Sequence, residues 1–481
     1  MSAPPRRTSR GYERLSAMDA MFLEIEDANV PMHMGSVSLF EAGPVLTEGG
    51  GLDVERIFAA AEAQLHRTPR LRHKLATIPL FDRPVWIDDP SFKLQYHIRH
   101  TAVPYPGDER QLKRLVGRLL SQHLDRNKPL WETWLVEGVE GERFAIVTKL
   151  HHCITDGVGS AGASMLVGTR PDYEPGEPRP WNPQRPPPDA RLVADEAIRR
   201  AAAPLSLLEA TSEANEKGGR EAPSLRDTLE RAARGAWRAA QAGLRPVTET
   251  PLNVEIGPHR RFDWTRLPLA EVKRIGRAAG GTVNDVVLAL VAGAVRRFLE
   301  RRALDPAGVE FRVAVPVNVR TEADAGALGN RVSTLITPLP LDEADPWRRL
   351  ERVVATTREL KGSGESQAVD LVGRLADWLP LGLLARVSQA GNRAVNMIVT
   401  NVPGPQLPVY MLGARMLESY PLVPLMTNEA LNVALFSYDG TLFWGFNADW
   451  DAIPDLHDVV ESVPMGFEAL GKAVAAGAGA A

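Results

Sequence analysis

The sequence contains very little cysteine: Cys153 is the one cysteine among 481 residues. A single thiol excludes an internal disulfide and a zinc site built from several cysteines, and it suits a reducing compartment. Long apolar runs are also missing, because the run at 286–295 falls far short of the roughly 18 residues that span a bilayer. The first residues lack the apolar stretch of a secretory signal. We therefore expect a cytoplasmic protein whose membrane contacts are peripheral.

An excess of positive charge is absent as well. The chain has 56 Lys and Arg residues against 60 Asp and Glu residues, a formal net charge of −4. Nucleic-acid binding needs a net basic domain or stripe, so nucleic acid is not an expected partner. The hydrophobic content of 44% is that of a folded globular protein, and the length predicts two or three packed units.

Strands and helices alternate in the predicted secondary structure. Apolar residues at helical spacing predict helices at 53–66 and 109–124. Asp439 and Gly440 predict a tight hairpin turn, because both tolerate positive φ angles. Segments rich in β-branched and aromatic residues predict strands at 35–42, 94–103, 131–140, 143–150, 310–319, 331–341, 395–400 and on both sides of the turn within 431–447. The pattern predicts an α/β fold in two halves.

A proline-rich segment separates the two halves. Residues 170–190 have too many prolines for a helix or a central strand, which predicts an extended linker. An Ala- and Arg-rich stretch with a helical pattern follows at 191–245. We therefore predict an N-terminal half at 1–170, a linker with helices at 171–250 and a C-terminal half at 251–481.

The segment His-His-Cys-Ile-Thr-Asp-Gly at 151–157 follows a predicted strand and precedes a helix rich in small residues. Catalytic groups are often found on loops between such elements. Side chains of adjacent residues diverge, so one of His151 and His152 can face a cavity while the other packs; a metal pair is not expected. Asp156 and Gly157 fit either a helix cap and turn, or a carboxylate that pairs with a buried Arg and holds the loop.

Three further segments stand out, and each has a structural interpretation. Pro129, Leu130 and Trp131 could begin a strand and fill the core. Asn284 and Asp285 could cap the strongly apolar helix that follows them. The segment 401–404, Asn-Val-Pro-Gly, could form a plain turn.

Together these segments resemble a known family. HHxxxDG is typical of the acyltransferase superfamily that includes chloramphenicol acetyltransferase and peptide-synthetase condensation domains. The PLW, ND and NVPG elements, with the opening block from Leu15, resemble the bacterial wax ester synthase/diacylglycerol acyltransferase family. One position departs from the family pattern, because Thr400 stands where Ser often precedes NVPG. The resemblance implies two chloramphenicol-acetyltransferase-like domains with mixed sheets, joined by a long crossover linker.

The resemblance also implies roles for the motif residues. His152 would be the general base and would return its proton to the CoA sulfur, with His151 as a packing or loop-holding partner. Thr400 or Asn401 would stabilise the oxyanion, and Asn284 and Asp285 would lie near the catalytic tunnel. Transfer would be direct, in a ternary complex. Cys153 is poorly placed to exchange a proton with His152, so we do not expect it to act as a nucleophile.

The implied substrates are a long-chain acyl-CoA and a lipid alcohol, either diacylglycerol or a fatty alcohol, with no cofactor and no metal. The segment 224–245 predicts a basic amphipathic helix that either lies on an anionic lipid surface or packs on the protein. We therefore expect peripheral association with the inner membrane or lipid droplets. Two rival interpretations are an acyltransferase that uses a carrier-protein thioester and a lipid-binding protein without catalysis.

Overall fold

The computed structural model describes residues 11–154, 167–173, 176–201, 247–318, 332–362 and 393–477, together with residues 382 and 386. Two six-stranded mixed sheets and one small three-stranded sheet form the framework. Each large sheet has a hydrophobic core of its own. Asp156, Gly157 and the predicted helix at 224–245 lie outside the described residues.

The N-terminal sheet has the strand order β12-β13-β2-β7-β6-β5, in which β5 and β6 are parallel and the other pairs are antiparallel. Its central strand β7 is buried at every position after Arg143. Its strands are β2 His33–Glu41, β5 Ile98–Ala102, β6 Trp131–Val139, β7 Arg143–His151, β12 Tyr410–Met411 and β13 Ala414–Leu422. Three helices of this half are α1 Ala17–Ile25, α2 Val54–Gln64 and α3 Glu109–Leu120.

The C-terminal sheet has the order β10-β9-β11-β14-β15-β8. Strand β11 is parallel to both of its neighbours, and the remaining pairs are antiparallel. The strands are β8 Arg260–Pro268, β9 Phe311–Asn318, β10 Val332–Leu339, β11 Met397–Pro403, β14 Leu431–Tyr438 and β15 Thr441–Asp449. Helix α4 lies at 189–201, before this half. The helices that follow it are α5 Leu269–Ala278, α6 Val283–Arg301, α7 Pro346–Gly362 and α8 Leu456–Ala475.

Most of the predicted elements are confirmed. The hairpin of β14 and β15 turns at Asp439 and Gly440, whose φ angles are 43° and 79°. The predicted strand at 94–103 is wrong at its start, because Leu94–Tyr96 forms a 3-10 turn before β5 begins. The strands β3 His73–Ile78 and β4 Arg83–Asp88 were not predicted, because charged residues interrupt their apolar pattern.

One pair of strands crosses between the halves. Strand β13 belongs by sequence to the C-terminal half, but it pairs with β2 and extends the N-terminal sheet. The hydroxyls of Ser38 and Ser419 are hydrogen-bonded at 2.9 Å across this pair. Tyr420 and Leu422 are buried there. The predicted division at 1–170, 171–250 and 251–481 stays a prediction. Residues 410–422 extend the N-terminal sheet although they follow residue 251 in the sequence.

The described part of the linker packs on the N-terminal half. The indole N–H of Trp181 donates to the main-chain oxygen of Asp89 at 2.9 Å, and the guanidinium of Arg72 lies 4.2 Å from the indole centroid. Helix α4 then covers the small sheet of β1 Glu13–Arg14, β4 and β3 with Leu192. The buried carboxylate of Glu196 binds three arginines: Arg14, Arg199 and Arg200. The extended linker is therefore held along its described length.

The C-terminal end of α3 connects the halves. The buried Lys149 ammonium donates to the main-chain oxygens of Leu119 and Gln122 at 2.9 and 2.7 Å. The main-chain N–H of Arg260, at the start of β8, donates to the Ser121 hydroxyl at 2.9 Å. Burial lowers the pKa of Lys149 to about 8. Strand β7 and the C-terminal half thus meet at one helix end.

In the described part of the chain, no single helix has the length and hydropathy to cross a membrane. Helices α5 and α6 meet that criterion only as a pair, bent by 93°. Most of the apolar side chains of α6 are buried in the C-terminal core.

Glu429 is fully buried under the C-terminal sheet. Its Oε2 accepts from the Asn432 amide at 2.9 Å, whereas Oε1 has no hydrogen-bond partner in the described structure. Burial raises the pKa of Glu429 to about 7. The Asn432 carbonyl oxygen in turn accepts the main-chain N–H of Ile398 at 2.6 Å, which links this carboxyl to β11.

We expect the buried carboxyl of Glu429 to make the protein less stable as the pH rises. The folded-state pKa lies above the ordinary value, so the folded state binds more protons and stability falls between about pH 4.5 and 7. Once the pH exceeds 7, the raised pKa of Glu429 lowers the free energy of unfolding by about 3 kcal/mol. Calorimetry should show that Glu429→Gln raises Tm more at pH 8 than at pH 5, whereas the exposed Glu461→Gln has no such effect. Equal shifts at both pH values would contradict this account.

Candidate active site

The two motif histidines lie where β7 ends. His151 is the last residue of β7 and pairs with His33 of β2. The main-chain N–H of His151 donates to Leu130 at 2.9 Å, and that of His152 donates to Met32 at 2.8 Å. The turn is therefore held by the residues that precede both neighbouring strands. These two hydrogen bonds fix the backbone from which the two imidazole side chains extend.

The side chain of His151 is buried completely. Its Nδ1 accepts the main-chain N–H of Cys153 at 3.1 Å. A main-chain N–H can only donate, so Nδ1 is unprotonated and the ring proton sits on Nε2. Nε2 lies 3.7 Å from Oε1 of Glu26 and has no closer partner among the described residues. His151 thus packs and holds the turn, as the diverging directions of the pair predict.

His152 is partly exposed, and its ring centroid lies 4.0 Å from that of Phe22 on α1. Burial of the ring lowers the pKa of His152 to about 4, against the opposing effect of its own main-chain carbonyl. The imidazole is therefore neutral at pH 7 and able to accept a proton.

Glu26 is a site residue that the sequence did not reveal. It caps the C-terminal end of α1, and its carboxylate pairs with Arg126 at 2.7 Å and accepts the Met32 N–H at 3.1 Å. Burial alone would raise the pKa of Glu26, but His151 and Arg126 outweigh it and lower the value to about 2. The spacing of Phe22 and Glu26, four residues apart, was the available signal, since such residues share one helix face.

Cys153 follows the histidines but is buried, with 3% of its surface exposed. Burial raises the pKa of the Cys153 thiol well above its ordinary value. A protonated, enclosed thiol is a poor nucleophile. The main-chain N–H of Cys153 supports His151, and its side chain belongs to the N-terminal core.

The PLW residues support the turn that carries the two histidines. Pro129, Leu130 and Trp131 are all buried. The Trp131 indole donates to the main-chain oxygen of Leu71 at 2.7 Å and stacks on His97 at 4.7 Å. Leu130 supplies the oxygen that accepts from the His151 N–H. This geometry matches the packing alternative for these residues.

The ND and NVPG elements meet in the C-terminal half. The amide of Asn401 on β11 donates to the Asn284 side-chain oxygen at 2.7 Å. The remaining side-chain oxygen of Asn401 is buried and has no partner in the described structure. Gly404 ends this element where a Cβ would lie 2.3 Å from the Phe436 ring, so only glycine fits. The neighbouring Thr400 is half-buried on β11.

Asp285 has a capping role in this geometry. One carboxylate oxygen accepts the main-chain N–H and the hydroxyl of Thr282 at 2.6 and 2.8 Å, which completes a capping box at the start of α6. The other oxygen accepts the Thr357 hydroxyl at 2.7 Å. Both oxygens are thus occupied within the protein. Asn284, and not Asp285, connects α6 to the NVPG element.

Among the described residues, no group of three or more His, Cys, Asp or Glu side chains could hold a metal ion. The geometry instead offers a neutral imidazole on a rigid turn. Such a group can move a proton between a hydroxyl and a leaving group.

Comparison with solved structures defines the class of the fold. A condensation domain of the CDA synthetase aligns with a TM-score of 0.54 at 18% identity, over 96% of each chain. The wax ester synthase/diacylglycerol acyltransferase from Marinobacter aquaeolei VT8 aligns with a TM-score of 0.68 at 25% identity, over 96% of this chain and all of that one. The predicted fold of two chloramphenicol-acetyltransferase-like domains with mixed sheets is confirmed.

Sequence comparison gives the family. Residues 15–287 match the wax ester synthase/diacylglycerol acyltransferase catalytic domain, and residues 328–471 match the WS/DGAT C-terminal domain. A relative from Mycobacterium tuberculosis strain CDC 1551, named as a diacylglycerol O-acyltransferase, is 33% identical over 95% of this chain and 90% of its own. The chain belongs to the wax ester synthase/diacylglycerol acyltransferase family and is an acyltransferase.

We expect Cys153 to be dispensable for acyl transfer, because its thiol is buried and protonated. Cys153→Ala should keep more than half of the wild-type turnover, measured as free CoA released. Intact mass spectrometry of wild-type protein incubated with acyl-CoA alone should show no acyl adduct. A stable adduct at Cys153 would instead indicate a covalent route.

Proposed function

We propose that the protein transfers a long-chain acyl group from acyl-CoA to the free hydroxyl of diacylglycerol, which yields triacylglycerol, and to fatty alcohols, which yields wax esters. The observation that carries this proposal is His152, whose main chain is held at the end of β7 by Met32 and whose lowered pKa leaves the imidazole neutral at pH 7. The names of the Mycobacterium and Marinobacter relatives support the choice of acceptor.

In the proposed reaction, Nε2 of His152 takes the proton of the acceptor hydroxyl as its oxygen attacks the thioester carbonyl carbon. The tetrahedral intermediate then collapses, the C–S bond breaks, and the imidazolium returns the proton to the CoA sulfur. A pKa of about 4 makes this imidazolium a strong acid toward a thiolate, which favours the second proton transfer. No acyl-enzyme forms, so both substrates are bound together.

The oxyanion of that intermediate needs a hydrogen-bond donor. One N–H of the Asn401 amide donates to Asn284, and the side-chain oxygen of Asn401 is buried without a partner among the described residues. The candidates for the donor are therefore the Thr400 hydroxyl and the second N–H of the Asn401 amide. In the same proposal Asn401 and Asn284 keep the end of β11 and the start of α6 in register beside the substrate.

The lipid acceptor implies a place for the enzyme. Diacylglycerol and fatty alcohols partition into bilayers and droplets, so we propose that the protein works at the surface of the inner membrane or of lipid droplets. A carrier-protein thioester as donor and a lipid-binding role without catalysis remain the alternatives. They are separated by an acceptor panel with palmitoyl-CoA and diacylglycerol, hexadecanol or no acceptor, in which free CoA and lipid product are both measured.

We expect His152→Ala to lower turnover by about two to four orders of magnitude, because a positioned general base contributes roughly that factor. The exposed His259→Ala serves as the matched control and should keep wild-type activity. Circular dichroism should show both variants folded. A folded His152→Ala protein with more than half of wild-type turnover would rule out His152 as the base.

The activity should also persist to unusually low pH. Burial lowers the pKa of His152 to about 4, so the base is lost only as the pH falls through that value and not at the ordinary 6.5. A profile of kcat/KM from pH 4 to 8 should have its acid limb well below 6.5 while circular dichroism reports a folded protein. An acid limb centred at 6.5 or higher would show that the imidazole is not shielded in the working enzyme.

A further inference from the structure

One short helix contacts both histidines of the motif. From α1, Phe22 lies against the His152 ring, with 4.0 Å between centroids. Four residues later, at the C-terminal end of the same helix, the Glu26 carboxylate faces His151. Ser16 caps the N-terminal end of α1 by accepting the Asp19 N–H at 3.1 Å. Helix α1 thus has a defined position beside the turn that carries His152.

The Glu26 carboxylate is enclosed, with 5% of its side chain exposed, but it is fully engaged. Arg126 donates from Nε to one oxygen at 2.8 Å and also donates to the main-chain oxygen of Leu23 in α1. The other carboxylate oxygen accepts the Met32 N–H at 3.1 Å. Arg126 therefore holds the carboxylate at a fixed position on α1 and keeps it ionised.

Two paths lead from this carboxylate to His152. In the first, Glu26 is the acceptor nearest to Nε2–H of His151, at 3.7 Å, and Nδ1 of the same ring accepts the N–H of Cys153. In the second, the main-chain N–H of Met32 donates to the Glu26 carboxylate, and the main-chain oxygen of Met32 accepts the N–H of His152 at 2.8 Å. His152 therefore lies between two residues that the carboxylate orients.

We propose that Glu26, held by Arg126, is a positioning residue that acts through His151 and Met32 to fix the imidazole of His152. The inference rests on the proposed function, because it takes His152 as the base. A displacement of about 1 Å at a reacting group can cost about a hundredfold in rate. A neutral amide at position 26 would remove the ionic partner of Arg126, which keeps its bond to the Leu23 oxygen, and would attract the Nε2–H of His151 less strongly.

The test compares Glu26→Gln with Glu24→Gln, a matched control that removes an exposed carboxylate from the same helix. With acyl-CoA and diacylglycerol, Glu26→Gln should lower kcat about 10- to 100-fold with KM for both substrates within about twofold of wild type. Glu24→Gln should match the wild type. All assays are run well below the Tm of each variant, which calorimetry supplies.

Two readouts distinguish positioning from loss of folded protein. In protein with ¹⁵N-labelled histidine, the Nε2 signal of His151 should shift between the wild type and Glu26→Gln, because the carboxylate 3.7 Å away is replaced by a neutral amide, with no such change in Glu24→Gln. Adding Glu26→Gln to a His151→Gln protein should lower kcat by a smaller factor than in the wild-type background, because the part of the effect that passes through His151 is already lost and residues that act through one another are not additive.

The proposal is overturned if Glu26→Gln has the kinetics of Glu24→Gln, if its effect is fully retained in the His151→Gln protein, or if the His151 signal does not move. The proposed function fails by a different result, namely a His152→Ala protein that stays active. An inactive His152→Ala protein together with an unaffected Glu26→Gln protein would thus reject the positioning role alone.

Discussion

The hydrogen bonds of the buried C-terminal end of α3 are the constraint on which much of this structure depends. The last carbonyl oxygens of a helix have no partner within it, and leaving them bare in a core is costly. Lys149 on β7 donates to one of them, the main-chain oxygen of Leu119, and to the oxygen of Gln122 just beyond the helix, while the Ser121 hydroxyl accepts the main-chain N–H of Arg260 on β8. A one-residue shift of β7 would turn Lys149 to the other face. The register that satisfies α3 therefore also determines where His151 and His152 emerge.

The site is built by several parts of the chain that are distant in sequence. Helix α1 supplies Phe22 and Glu26, the PLW element supports the turn through Leu130, and β7 carries the histidines. Asn284 and Asn401 connect two elements of the other half through a single hydrogen bond between their side-chain amides. These described motif residues thus have local structural tasks, and in the proposed reaction the proton transfer falls to His152.

The sequence allowed the fold class, the family and most strands to be predicted, because the HHxxxDG, PLW, ND and NVPG elements and the apolar periodicity are local signals. The capping role of Asp285 was among the alternatives for the same reason. The strand exchange of β13 could not be predicted, since nothing in residues 414–422 specifies which sheet they join. Glu26 was also missed, because its partners Arg126 and His151 are at least 100 residues away in the sequence and only the fold brings them together.

The place of β13 in the N-terminal sheet has a consequence for folding during translation. Ser38 and Ser419 are 381 residues apart, so the first large sheet is completed by a segment that is synthesised long after β2. Until then one edge of β2 has unpaired main-chain groups, and such an edge readily pairs with another chain. A polypeptide that stops before β13 is therefore not a smaller enzyme but an open sheet, which favours chaperone capture or aggregation during translation.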